Sequence, residues 1–133
     1  MADPPEYPYV NRMDVRFRPL EVIDEREISD DCRFQWFNQT LCEVNDSVVR
    51  LGVVEGEYHW HTHDDNDEFF YVVEGEFLID LDGRTVALSP RQAFVVPRGV
   101  RHRPRAERRT VILMVEAKGI VPTGTPSPPP GAP

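Results

Sequence analysis

The histidines and acids most able to do chemistry lie in one run, His-Trp-His-Thr-His-Asp-Asp-Asn-Asp-Glu, which puts imidazoles at His59, His61 and His63 and a carboxylate at Glu68. Side chains alternate along an extended strand, so His61 and His63 share a face, and a short polar turn over 64–67 can fold Glu68 back beside them. The remaining histidine, His102, follows a hydrophobic stretch and a turn carrying Pro97 and Gly99. Neutral imidazoles together with one carboxylate suit Zn²⁺, Fe²⁺ or Mn²⁺, and they leave coordination positions open for water or substrate. Such a set fits a catalytic type of site rather than a closed structural one. His59 has the parity of the pair but stands outside its spacing, so it reads as a residue that orients a ligand or lines the pocket. Trp60, Thr62, Phe69 and Tyr71 have the opposite parity and point away. Arg50 and Gln35 sit on predicted strands from which they can reach an interior, where a buried charge needs a partner such as a substrate carboxylate.

The elements that must position these residues are strands. Short apolar runs broken by turn residues occupy 34–37, 41–44, 48–54, 57–61, 68–73, 76–81, 85–88, 93–96 and 110–116. Glu74-Gly75 and Asp82-Gly83 read as hairpin turns. So many short strands at even spacing predict an all-β sandwich or barrel, with one short helix expected over 21–29. The ends read as linkers: three prolines fall within residues 1–9 and six within 122–133. The expected organisation is a flexible N-terminus over 1–12, one β domain over 13–121 and a proline-rich disordered tail over 122–133.

The spacing resembles the cupin superfamily. Its first motif is matched by Gly56, His61-x-His63, Glu68 and Gly75, with the first gap one residue short, and its second by Pro97-x-Gly99 and His102. The two motifs are separated by 27 positions from Gly75 to His102. Where the second motif opens on glycine this chain has Arg91, which a tight turn would strain. Trp60-His61-Thr62-His63, 67–75, 115–119 and Thr123-Gly124 are similar to small single-domain bacterial cupins of the mannose-6-phosphate isomerase-like type. That likeness covers roughly 40–124 and carries no sugar chemistry with it, because one fold hosts many activities. The resemblance implies a double-stranded β-helix, or jelly roll, with a short N-terminal extension. It also implies a divalent metal held by His61, His63, Glu68 and His102.

The 133-residue length fits a single domain. No long apolar run and no basic-then-apolar start is present, so neither a membrane span nor a secretory signal is expected and the expected compartment is the cytoplasm. The net charge of −8 argues against nucleic-acid binding, while Arg98, Arg101, Arg103, Arg105, Arg108 and Arg109 crowd around the second motif, as a solvated edge or an anion-attracting one. Cys32 and Cys42 are too few for a disulfide framework. Three classes of function remain. The first is a mononuclear metalloenzyme acting on a small organic molecule, of dioxygenase, isomerase, cyclase or lyase type. The second is a metal-dependent binding or sensor module, and the third a metal-stabilised structural dimer. A homodimer is expected in any of them, because sheet edges and the apolar N-terminal extension need cover.

Overall fold

The computed structural model describes residues 8–131. Its strands are β1 (Val10–Arg12), β2 (Trp36–Val44), β3 (Ser47–Glu57), β4 (His61–Thr62), β5 (Glu68–Glu74), β6 (Phe77–Leu81), β7 (Arg84–Leu88), β8 (Ala93–Val96), β9 (Arg103–Ala117) and β10 (Thr125–Pro126), with one helical turn, α1 (Arg26–Ser29). The main sheet runs β1-β2-β3-β9-β5-β8, and β6 joins it through β9 while pairing β7 on its other side. All of these pairs are antiparallel except β1 with β2. The 15-residue β9 is the hub: its first part pairs β6, its second part β5, and β3 lies along both. Such a strand, shared between two layers, gives the double-stranded β-helix expected from the sequence, with a sheet that curls without closing.

Strand parity sorts the apolar residues into two cores. Inward positions of β2, β3, β5 and β9 supply Trp36, Val54, Phe70, Val72, Ile112 and Met114 to the barrel interior, where Phe77 and Ile79 of β6 meet them. The alternate positions, Phe37, Leu41, Leu51, Val53 and Val111, face the other way and are covered by Phe17, with Ile28 and Cys32 packed alongside. The N-terminal extension thus gives this sheet the second apolar layer that an alternating pattern with both sets buried requires.

Several boundaries differ from those expected. The segments over 34–37 and 41–44 are one strand, β2, with a bulge between Thr40 and Cys42. Helix forms only at Arg26–Ser29, because the Glu21 carboxylate accepts the Arg18 N–H and closes a turn upstream instead. Strand β9 starts at Arg103 rather than 110. Its arginines look like a solvated edge in sequence, yet Arg103 and Arg105 both bond Asp80 of β6, at 2.9 and 2.8 Å from its Oδ2. The Asp80 carboxyl is held down at about 2: burial alone would raise it, and the bonds from Arg105, Thr85 and Arg103 outweigh that. The arginine cluster is therefore largely spent, Arg101 on Asp82 and Arg109 on Glu74.

Both ends depart from simple linkers. Val10–Arg12 pairs with β2, and within residues 122–131 Thr125 and Pro126 form β10, which pairs with β4. Residues 1–7 and 132–133 lie outside the described part of the chain. Arg91, at the position where a glycine is expected, takes φ +73° and donates its N–H to the Val72 carbonyl at 2.9 Å. That turn is built with a non-glycine residue in the left-handed region, at a cost of roughly 1–2 kcal/mol. Gly75 shows why its own position excludes a side chain: a Cβ there would fall 2.4 Å from Thr110 Oγ1.

Candidate metal centre

The segments that carry the four expected ligands are tied to one another by backbone. His61 and His102 exchange N–H···O bonds of 3.0 Å in both directions, and Gly99 donates to the His63 carbonyl at 2.9 Å. The Asp67 carboxylate closes the polar turn by accepting the Arg98 N–H at 2.9 Å, which delivers Glu68 to the first position of β5. As a result one ligand atom from each of His61, His63, Glu68 and His102 falls within 4.8 Å of the others, and all four residues are buried.

The ring protons show what this cluster needs. His61 Nδ1 donates to the His59 carbonyl at 2.9 Å and His102 Nδ1 to the Val100 carbonyl at 3.0 Å. A neutral imidazole has one N–H, so both Nε2 atoms turn bare lone pairs toward the centre. Glu68 Oε1 lies 3.2 Å from His102 Nε2, and Glu68 Oε2 lies 3.5 Å from His63 Nε2, a buried atom with no hydrogen bond of its own. Lone pair facing lone pair in a low-dielectric interior calls for a proton or a cation between them, and three imidazoles converging on one carboxylate fit a divalent metal.

Electrostatics agree. Burial, reinforced by the neighbouring imidazoles, lowers His61 to about 2 and His63 to about 4, and burial also lowers His102. These rings are neutral at ordinary pH, the form in which they could hold a metal. Burial raises Glu68 to about 7. Behind Glu68 lies Glu116, whose Oε1 accepts from Arg50 at 2.9 Å. Its Oε2 meets no N–H donor and is set against the Glu68 carboxyl, and burial together with the Glu68 charge raises Glu116 well above the usual carboxylate range. The sequence reading missed Glu116. Its signal was an acid at the inward parity of Ile112 and Met114.

The remaining expected residues divide. Arg50 does reach the interior, but its guanidinium is occupied by Glu116, the Ile120 carbonyl and Thr40 Oγ1, so no charge is left over for a substrate carboxylate. Gln35 precedes β2, is exposed, and lies on the outer surface near Gly56, because its parity faces away from the interior. His59 stands beside the centre, its ring centroid 5.0 Å from that of His61, and bonds the Thr123 carbonyl through Nε2 at 2.7 Å and the Tyr9 hydroxyl through Nδ1 at 3.2 Å. Next to the cluster is a cavity that His61 and Glu68 share with Trp36, Tyr58, Phe70, Met114 and the Asn38 amide.

A pH dependence follows for the metal-free protein. The unfolded chain takes up histidine protons below about 6.5 that the native state refuses, so that contribution to stability is present above 6.5 and is lost as pH falls toward 4. Glu68 has the opposite sign: its contribution is complete below about 4.5 and lost as pH rises through 7. Melting temperature of the metal-free protein should therefore peak near pH 6.5, and zinc should remove most of the alkaline decline by giving ionised Glu68 a partner. Thermal melts from pH 4 to 9 check this; a metal-free melting point still climbing between pH 7 and 9 would contradict it.

A jelly-roll barrel whose interior brings together three imidazoles and a carboxylate defines a class of small β proteins built around a candidate metal centre. The chain belongs to the cupin family: the cupin domain model matches residues 47–116, just over half of it. It is 46% identical over 92 residues to the uncharacterised protein YdbB of Bacillus subtilis (strain 168), a match covering 68% of this chain and 81% of that one. Over 45 residues it is 47% identical to polyketide synthase CurC of Streptomyces cyaneus, spanning 34% of this chain and 29% of CurC. A cupin-2 domain protein from Shewanella frigidimarina NCIMB 400 superposes with a TM-score of 0.70 at 33% identity, over 73% of this chain and 95% of that one. No helix among the described residues is long and apolar enough to cross a membrane.

Proposed function

We propose that this protein is a mononuclear metal-dependent enzyme acting on a small, uncharged, oxygenated organic molecule. The observation that carries the reading is the meeting of an inward-facing His₃Glu set with an adjoining cavity walled by Trp36, Tyr58, Phe70 and Met114. His61, His63, Glu68 and His102 would hold the ion, which when bound supplies Lewis-acid polarisation or, if redox-active, oxygen chemistry. The aromatic and thioether walls exclude water and favour a flat apolar body. Asn38 offers a polar contact: its Nδ2 donates to Asn11 Oδ1 at 2.7 Å, which leaves the amide oxygen to accept. With Arg50 consumed by Glu116, an anionic substrate would find no buried side-chain cation to meet it, only the ion itself, whose charge Glu68 already offsets in part. The local likeness to a protein named as a polyketide synthase supports an oxygenated carbon skeleton.

The test uses two chelators on zinc-loaded protein. Maltol, flat and uncharged in solution, should raise the melting temperature by several degrees, since a ligand at about 100 times its Kd adds roughly 2.7 kcal/mol. Oxalate, a small dianion, should do far less, and neither should act on metal-free protein. Equal shifts from both, or a maltol shift that survives metal removal, would count against the reading. Binding without any product formed from candidate substrates would favour the non-catalytic sensor instead.

We also propose a two-fold dimer through the N-terminal face. Leu20 and Val22 are almost wholly exposed and Met13 and Val15 partly so, all within ten residues of the extension. Light scattering at micromolar concentration should give twice the chain mass; a monomer mass refutes it.

A further inference from the structure

The cavity beside His61 and Glu68 has a free volume of about 20 Å³. That is room for about one water, whereas a benzene-sized guest occupies a cavity of about 150 Å³. Any organic ligand therefore requires part of the wall to move. Most of the wall is fixed by long ladders, such as that of β3 with β9. One part is held far more lightly.

Pro122 lines the cavity, and Gly124 lies directly on the candidate ligands: a Cβ there would come 2.7 Å from His61 Cδ2, 3.1 Å from His63 Cε1 and 2.5 Å from the Thr62 carbonyl. Beyond them β10 pairs with β4 at only two positions, Thr125 with Thr62 and Pro126 with His61. Ser127 donates to the Trp60 carbonyl at 3.0 Å, Arg101 Nη1 to the Pro128 carbonyl at 3.2 Å, and His59 Nε2 to the Thr123 carbonyl at 2.7 Å. Pro126, Pro128, Pro129 and Pro130 have no N–H, so the ladder cannot extend. The root of the segment does not share this looseness, for Ile120 is buried and its carbonyl accepts from Arg50 at 2.9 Å.

We propose that residues 121–128 are the gate of the metal pocket. A ligand enters when β10 parts from β4 while Ile120 stays pinned, and His59, held from behind by Tyr9, is the latch on Thr123. This rests on the adjoining pocket being the ligand site, and it gives the off-motif histidine a positioning role rather than a place among the ligands.

Thr62 and Thr125 are direct cross-strand partners, so Thr62→Cys/Thr125→Cys, in a Cys32→Ser/Cys42→Ser background, can lock the gate by a disulfide that dithiothreitol reopens. The first readout is zinc transfer from loaded protein to the chelator 4-(2-pyridylazo)resorcinol; the second is maltol binding. Oxidation should slow transfer on the order of a hundredfold, because local opening is then forbidden, and should abolish the maltol shift, while reduction restores both. His59→Ala should speed transfer about tenfold, the value of one hydrogen bond, at nearly unchanged equilibrium zinc affinity. Should the disulfide fail to form, Gly124→Val decides: it cannot seat against His61 and should accelerate transfer by a similar factor. Equal transfer rates in oxidised and reduced protein, or an unaltered rate in Gly124→Val, overturn the gate. If transfer follows the lock but maltol binds neither form, the gate stands and the ligand reading of the pocket fails.

Discussion

Arg50→Met is expected to lower the free energy of unfolding by about 3–5 kcal/mol, on the order of 10–20 °C in melting temperature for a domain of this size. Arg50 is 3% exposed and its guanidinium reaches Glu116 and the Ile120 carbonyl at 2.9 Å and Thr40 Oγ1 at 3.1 Å. Its removal leaves Glu116, beside the buried Glu68, without its cation partner and releases the root of the C-terminal segment. A large loss therefore comes from the uncompensated charge, more than from the pair's own attraction, and a second substitution discriminates between these. Arg50→Met/Glu116→Leu removes both charges together and should regain most of the lost stability. Urea unfolding of the metal-free proteins at pH 7 measures both. A single variant within about 1 kcal/mol of the parent would mean that the pair carries little of the interior's stability.

Alanine at His61, His63, Glu68 or His102 should weaken zinc binding by at least about a hundredfold, more than the 10–100-fold typical of groups that only orient a ligand. Each of these residues directs a buried lone pair or carboxylate oxygen at the shared centre, so each loss removes a donor that water replaces poorly in that space. His59→Ala is the control: its ring nitrogens are engaged by Thr123 and Tyr9 rather than the centre, and its affinity should stay within about threefold of the parent. Competition against a chelator of known affinity reads all five variants. Comparable losses at His59 and His102 would show that the centre is drawn around the wrong imidazoles.

Relations within a strand or across one turn are legible in the amino-acid sequence itself. His61 and His63 share a face because two residues separate them, Glu68 returns because a short polar turn intervenes, and Phe69 and Tyr71 point away by parity alone. The alternating apolar runs likewise predict an all-β barrel, since burial of one face imposes that period locally. What the residues do not declare is which distant group will meet them. Arg50 has the same sequence signature whether its partner is a substrate or Glu116, which lies 66 positions on. Arg103 and Arg105 look solvated until β6 brings Asp80 between them, and only then can β9 run unbroken past them. The proline-rich tail lacks donors for a long ladder, so composition alone reads it as free; Thr125, the carbonyl of Thr123 and the bare face of Gly124 find partners only because β4 is left unpaired on that side by the main sheet. Local spacing placed His61, His63 and Glu68 together as candidate donors and determined the kind of sheet, because both depend on dihedral periodicity over a few residues, whereas His102, 34 positions from Glu68, joins them only through the fold. Charge neutralisation and the covering of the pocket were decided by tertiary structure, because they depend on contacts between segments that only the folded barrel brings together.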